Sequence, residues 1–96
     1  MKNYEIMFIV RPTLSEEEIK KVVTSFEKVL KDNGAKDINV KEMGQRELAY
    51  EIKDFKTGYY YVINLTASDD KATKEFDRLA GINENILRHL IIRKED

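Results

Sequence analysis

The sequence predicts an α+β protein of the ferredoxin-like (split βαβ) class, with four antiparallel strands and two helices on one face of the sheet. Segments with strand periodicity and helical periodicity follow one another in the order β-α-β-β-α-β, and each helical segment carries one apolar stripe. A length of 96 residues suits one domain, expected to span residues 1–96. Right-handed crossovers would place strands one and three in the centre of the sheet, and strands two and four at its edges.

The first strand is apolar on both faces and is closed by Arg11-Pro12, because proline has no N–H to donate to a neighbouring strand. Successive side chains of a strand point to opposite faces. We therefore expect Ile6, Phe8 and Val10 beneath the helices. Met7 and Ile9 would then point to the other face.

The first helix has strong signals at both ends. Ser15 and Glu18 have the spacing of a capping box, and Leu14 can pack on Ile19 across the first turn. Gly34 is the expected left-handed residue after the last turn. The apolar stripe between these ends consists of Ile19, Val22, Val23, Phe26, Val29 and Leu30.

The remaining elements follow from apolar spacing and turn residues. Ile38, Val40, Leu48, Tyr50 and Ile52 share one parity, which suggests a long second strand interrupted near Gly44 by a bulge. A turn over residues 53–58 would lead into a third strand over residues 59–67. We then expect a second helix that is capped by Ser68-Asp69-Asp70 and ends at Ala80-Gly81, with Ala72, Phe76 and Leu79 on one face. A last strand over residues 86–94 is apolar on both faces, so the sequence does not show which of its residues face the helices.

Three consecutive tyrosines lie in the third strand, and polar residues fix their phase. Burying an unpaired amide costs about 1–3 kcal/mol, so Asn64 and Thr66 belong on the face without helices. Tyr59 and Tyr61 then point toward the helices. The stretch "TGYYYVIN" also imitates the strand of an RNA-recognition motif, which needs those two rings on the helix-free face. An independent single-stranded RNA-binding module of that type is the alternative function.

Composition excludes several other classes. With no cysteine and one histidine, a metal site is improbable, and no cofactor-binding loop is present. His89 has no evident carboxylate to orient it, so we expect no enzyme. The formal net charge of −1 means that any nucleic-acid contact must rest on a local basic patch. No apolar run is long enough to span a membrane, and a cytoplasmic location is expected.

Two surfaces are candidates for partner binding. The helix-free face would display Met7, Ile9, Tyr60 and Val62, which suits a protein partner or a second copy unless loops or the C-terminal residues cover it. Basic residues on strands and the hairpin could hold phosphates: Lys2, Arg46, Lys53, Lys56, Arg88, Arg93 and Lys94. Cations on edge strands also discourage aggregation, and composition does not separate the two roles.

The segments "YEIMFIVRP", "MGQRELAYEIKDFKTGYY" and "ILRHLIIRK" together resemble the family of the sixth protein of the bacterial small ribosomal subunit. The resemblance covers essentially the whole chain and implies a ribosome-bound, non-catalytic protein. It also implies joint binding to the central domain of 16S rRNA with ribosomal protein S18, the eighteenth small-subunit protein. We hypothesise that binding alone is weak and that assembly is cooperative.

The resemblance also assigns residues to the RNA. The rRNA contacts that it implies are Lys2, Arg46, Arg88 and Arg93, together with Lys53, Lys56 and, by packing on ribose or base, Tyr4. Tyr4 shares the parity of Ile6, so a place at the rim of the core is the other reading. Gln45-Arg46-Glu47 departs from the more basic run that many members have there, which weakens the expected phosphate attraction at Arg46.

Overall fold

A computed structural model of the chain describes residues 1–94. The elements are β1 (Lys2–Val10), α1 (Glu16–Asp32), β2 (Lys36–Ile52), β3 (Phe55–Ala67), α2 (Lys71–Ile82) and β4 (Ile86–Lys94). All the strand pairs are antiparallel, and the sheet order is β2-β3-β1-β4. The predicted α+β class, with strands one and three in the centre, is confirmed. Within residues 1–94, no helix is both long and apolar enough to cross a membrane.

The core lies between the helices and one face of the sheet. Ile6, Phe8 and Val10 are fully buried in it, as their parity in β1 predicts. The ring of Phe8 lies 5.5 Å from that of Phe26 on α1 and 5.9 Å from that of Phe76 on α2. Aromatic pairs at these separations add to the stability that burial itself provides. The rings therefore tie both helices to the same central strand.

The ends of α1 confirm both predicted signals. The Glu18 backbone N–H donates to the Ser15 hydroxyl, and the Ser15 backbone N–H donates to the Glu18 carboxylate, as in a capping box. At the other end Gly34 has φ of 96°, and the Ala35 N–H donates to the Leu30 carbonyl at 2.9 Å. This is the Schellman arrangement, in which a left-handed glycine closes the last turn.

The predicted bulge in β2 is confirmed, and it changes the face on which the later residues lie. The pairing with β3 shifts between Glu42 and Gly44, where Gly44 has φ of 83°. One extra residue reverses the alternation of side chains. Residues of equal parity before and after the bulge therefore lie on opposite faces. Val40 packs against the core, whereas Leu48 lines the helix-free side.

Two predicted boundaries were wrong. The turn is only Lys53-Asp54, both with positive φ, and Ile52 pairs with Phe55 across it. Positive φ at both central residues is the pattern of a type I′ turn, whose twist matches that of the strands. The predicted stop of α2 at Gly81 was also wrong, since the helix continues to Ile82.

The predicted cap of α2 needs a smaller correction. Asp70 holds the N-cap position, but its side chain makes no capping hydrogen bond. Instead, the Lys71 backbone N–H donates to the Asp69 carboxylate at 3.0 Å. Aspartate commonly bonds the backbone two residues ahead of it, so the turn before α2 is still set by this acidic pair.

Candidate functional site: the open face of the sheet

The strand register defines the open face, meaning the side of the sheet without helices. Asn64 pairs with Glu5, Val62 with Met7 and Tyr60 with Ile9, and directly paired residues share a face. The predicted phase of the three tyrosines is confirmed. Tyr61 is 8% exposed and stacks on Phe8 beneath the helices. Burial raises the pKa of Tyr61, and nearby Glu42 adds to that effect.

The structure shows which residues of β4 lie on the open face, a question that the sequence left open. Leu90 pairs with Met7 and Ile92 pairs with Glu5, so both lie on the open face. Each is 47% exposed. Ile91 faces the other way and packs against the core. The open face is therefore wider and more apolar than the four residues predicted for it.

Ile9 lies on the open side but is only 4% exposed. Its Cγ2 would lie 2.4 Å from a Cβ at position 58, which means that the side chain occupies the space left by Gly58. It forms part of the floor of an apolar recess of ≈ 160 Å³. The apolar side chains lining this recess come from β1, β2, β3 and β4: Met7, Ile9, Leu48, Ile52, Tyr60 and Leu90.

The β2 bulge also sorts charges between the two faces. Lys41 pairs with Val62 and Arg46 with Gly58, so both cations lie on the open side. Glu42 pairs with Tyr61 on the helix side. Without the extra residue, Lys41 and Arg46 would lie on opposite faces. Within residues 1–94 the register places five cations on the open face: Lys36, Lys41, Arg46, Arg88 and Lys94. The acids there are Glu5 and Asp37, whose carboxylate accepts from the Thr66 hydroxyl at 3.1 Å.

The residues predicted to contact rRNA fall into two groups. Lys2 pairs with Ala67 and Arg93 with Tyr4 at one end of the sheet. Arg88 pairs with Ile9 toward the opposite end, about 17 Å along β1 from Tyr4. The second group is completed by Arg46, Lys53 and Lys56, and we call that end of the sheet the hairpin end. The structure does not bring the predicted RNA contacts into one continuous patch.

At the first end, Tyr4 belongs to the core. It is 6% exposed and lies in the same cluster as Ile6 and Leu65. This is the second of the two roles that its parity allowed, and little of the ring is available to ribose or base. Arg93 remains exposed at the outer strand β4, and Lys2 is half-buried.

At the hairpin end, three cations have neutral partners within residues 1–94. The Arg88 guanidinium donates to the Tyr50 hydroxyl at 2.9 Å, and Arg46 Nε donates to the Met43 carbonyl at 3.4 Å. Lys53 Nζ donates to the Ile86 carbonyl at 3.2 Å. Neutral acceptors orient a cation without cancelling its charge. These three groups therefore remain available to an anionic partner.

Other cations are already paired with acids. Lys56 lies 3.9 Å from Glu51, and Lys94 lies 2.9 Å from Glu5. On α2, Lys74 pairs with Asp70 one turn away, as expected for a solvated helix surface. Lys56 is consequently a weaker candidate for phosphate binding than the other predicted residues of the hairpin end.

His89 has a carboxylate partner that the sequence did not reveal. Its Nε2 lies 2.7 Å from Asp77 Oδ1 on α2, and its ring meets Phe76 edge to face. The expectation that no carboxylate orients His89 was wrong, because α2 crosses β4 at this point. The side chain is 22% exposed, and the contact links the outer strand to the helix layer.

Several residues of the open face were missed from the sequence. Leu48 and Tyr50 share the parity of Ile38, and the reversal at the bulge brings them to this face. Gly44 is the signal that could have found them, since a glycine inside a strand pattern commonly marks a bulge. Ile52 follows a second register shift, between Glu47 and Ile52. Lys41 follows from simple alternation with Val40, and Lys36 precedes a further shift between Lys36 and Asn39.

The fold and the open face define a class: a ferredoxin-like α+β protein with an apolar sheet surface flanked by cations. An Arabidopsis thaliana crystal structure is similar in fold, with a TM-score of 0.64 at 12% identity over 100% of this chain and 95% of that one. The crystal structure of 30S ribosomal protein S6 from Thermotoga maritima has a TM-score of 0.89 at 34% identity, covering 97% of this chain and 87% of that one.

Sequence comparison gives the family. The small ribosomal subunit protein bS6 of Lactiplantibacillus plantarum is 50% identical over 95 residues, which are 99% of this chain and 96% of that protein. The family model of ribosomal protein S6 matches residues 3–93. The chain belongs to the ribosomal protein S6 family, which confirms the resemblance seen in its sequence and makes it a small-subunit ribosomal protein.

Proposed function

We propose that this protein is a structural constituent of the small ribosomal subunit that binds the central domain of 16S rRNA together with ribosomal protein S18. In this proposal it has no catalytic role and is bound to the cytoplasmic ribosome. The open face receives the protein partner, and the cations of the two sheet ends contact the RNA.

One observation carries the proposal: apolar side chains fill the centre of the open face, and cations flank them. Met7 and Leu90 pair across β1 and β4, and Lys41 and Arg88 lie on the two outer strands. A protein interface commonly has an apolar centre with a polar rim. The flanking cations suit phosphate groups, which position a protein on RNA. Family membership supports the same assignment.

The alternative, an independent RNA-recognition module, loses its main support. Its stacking rings would be Tyr59 and Tyr61, and both point toward the helices. Tyr60 is the open-face member of the three, and its neighbours Ile9 and Val62 are aliphatic. The other ring on this face, Tyr50, lies on the edge strand β2 and bonds Arg88 through its hydroxyl. An RNA-recognition motif stacks bases on rings of its central strands, which here display Tyr60 as their single open-face ring among residues 1–94.

The test is quantitative binding of a 16S central-domain RNA fragment, with and without purified S18. We expect weak binding by this chain alone and a gain of about 5- to 150-fold when S18 is present, the range that a coupling free energy of about 1–3 kcal/mol gives. Tight, sequence-specific binding by the isolated chain would contradict cooperativity. Tyr61→Ala and Tyr60→Ala form a matched pair. Tyr61→Ala should lower the stability of the fold without a specific loss of RNA affinity.

Arg46→Gln and Lys53→Gln examine the hairpin end, and Lys20→Gln on the exposed side of α1 is the control. Each substitution at the hairpin end should weaken the ternary complex and reduce its salt dependence. Equal behaviour of all three variants would remove the hairpin end from the RNA surface.

A further inference from the structure

The apolar recess of the open face has a size that suits one side chain. Its volume is ≈ 160 Å³, below the roughly 300–1,000 Å³ of typical small-molecule sites. A cavity of about 150 Å³ lined by aliphatic groups is known to hold one benzene ring. The recess therefore fits a single aromatic or branched aliphatic group.

The exposed side of the recess is cationic. The Arg88 guanidinium and the Tyr50 hydroxyl both line it and bond to each other at 2.9 Å. The tyrosine orients the guanidinium but leaves its charge intact. An arginine held beside an apolar pocket is suited to a carboxylate on the same molecule that fills the pocket.

A second copy of this chain is a poor occupant. In a two-fold symmetric dimer the same surface meets itself, so one predominantly cationic open face would meet another. The acids on the open face of residues 1–94 are Glu5, which pairs with Lys94, and Asp37, which accepts a hydrogen bond from Thr66. Like-charge contact of this kind opposes self-association.

A nucleotide base is also disfavoured, although its ring has a suitable size. The polar edge of a base needs hydrogen-bond partners, and leaving one buried without a partner costs about 1–3 kcal/mol. Most of the recess wall is formed by Met7, Leu48, Ile52 and Leu90, which supply no side-chain donor or acceptor. A base could reach side-chain partners only at Tyr50, Tyr60 and Arg88, whereas its other polar atoms would be left unpaired. An apolar side chain meets no such cost.

We propose that the recess receives one aromatic or aliphatic anchor side chain of the protein partner, and that an acidic group next to this anchor, rather than an rRNA phosphate, binds Arg88. The inference rests on the proposed function for the identity of the partner. The chemistry of the recess is testable without it.

The test uses three small probes and the full chain. We expect 3-phenylpropionate to shift the methyl NMR signals of Met7, Leu48, Ile52 and Leu90, with a dissociation constant on the order of 1–10 mM. The uncharged 3-phenylpropanol should bind several-fold more weakly, and 3-phenylpropylamine more weakly still. This order reports both the apolar recess and the charge beside it.

Two variants separate the two parts of the recess. Arg88→Gln should weaken phenylpropionate about fivefold and leave phenylpropanol unchanged. Leu48→Trp, which enlarges a side chain that lines the recess, should abolish binding of both probes. Lys20→Gln on α1 is the control and should change neither. Circular dichroism verifies that each variant is folded.

Each other outcome overturns the inference. Absence of localised methyl shifts, or equal affinity for the acid and the amine, removes the anchor-and-carboxylate chemistry. Tighter binding of adenosine monophosphate to the same methyl groups assigns the recess to RNA. Self-association that Leu48→Trp abolishes assigns it to a second copy.

A parallel titration with S18 distinguishes this inference from the proposed function. Leu48→Trp should lower the affinity for S18 at least about tenfold, as expected for loss of a central anchor. Unchanged affinity for S18 would overturn the inference and leave the proposed function standing. Absence of S18 binding by the unmodified chain, with intact probe binding, would overturn the proposed function alone.

Discussion

The two faces of one sheet differ sharply, although the same strands build both. On the helix side, Ile6 and Phe8 are fully buried, and aromatic rings from both helices cover them. On the open side, Met7 is half-buried, and its cross-strand neighbour Leu90 is 47% exposed. Charges differ as well, since cations predominate on the open side.

The difference separates stability from recognition. Apolar area removed from water stabilises the fold by about 25 cal/mol per Å², and the helix side has already gained most of this. Apolar area on the open side is only partly removed from water and can still be buried by a partner. Changes on the two faces should therefore be measured in different experiments: unfolding for one and binding for the other.

The largest effect is expected from Phe8→Ala, compared with Met7→Ala at the next position of the same strand. Phe8 is fully buried, so its truncation should lower the free energy of unfolding by about 3–5 kcal/mol. Met7 is half-buried and should cost about 1 kcal/mol. Urea unfolding measures both. Similar losses would show that the two faces do not differ in their contribution to stability.

A smaller effect is expected from Gly58→Ala, which should change both the stability of the fold and binding at the open face. Its Cβ would meet Ile9 Cγ2 at 2.4 Å, and overpacking of this kind costs about 1–3 kcal/mol. The displaced Ile9 should also deform the recess and weaken probe binding. Gly81→Ala is the control, since nothing lies within 4 Å there and alanine favours the helix. A neutral Gly58→Ala would mean that Ile9 moves away at little cost.

Gly44→Ala tests the bulge against an equally strained site elsewhere. Gly44 has φ of 83° and Gly34 has φ of 96°, so alanine at either position should cost about 1–2 kcal/mol. Gly44→Ala should in addition weaken partner binding, because the bulge brings Lys41 and Arg46 to one face. Gly34→Ala should leave binding unchanged. Equal effects on binding would separate the bulge from recognition.

The smallest effect concerns the start of α1 at low pH. Hydrogen bonds from the Ser15 backbone and hydroxyl lower the pKa of Glu18 from its ordinary value of 4.5. The folded pKa lies below the unfolded one, so this stabilisation is present above about pH 4.5 and is lost as the pH falls through the folded value. Thermal unfolding from pH 7 to pH 3 should show this loss, reduced in Glu18→Gln but not in Glu17→Gln. A parallel pH response in both variants would contradict the assignment.

The fold was largely predictable because its signals are local. The capping box at Ser15, the left-handed Gly34 and the alternation of β1 each act over a few residues. The candidate site was only partly predictable. The positions of Met7 and Tyr60 on the open face follow from alternation. Ile9 is buried because its side chain occupies the space that Gly58 leaves, which alternation does not show. The carboxylate partner of His89 comes from α2, twelve positions earlier in the chain.

The sequence by itself determined the order of elements, the sheet topology and the phase of β3. These depend on the periodicity of apolar residues, on helix caps and on the cost of burying Asn64, and each of these can be recognised from residues that are close together in the sequence. The tertiary structure decided which residues share the open face. Register across strands, a one-residue bulge at Gly44 and the pairing of β4 with β1 are long-range relations. Alternation carries no information about them, because a shift of one residue moves every later side chain to the other face.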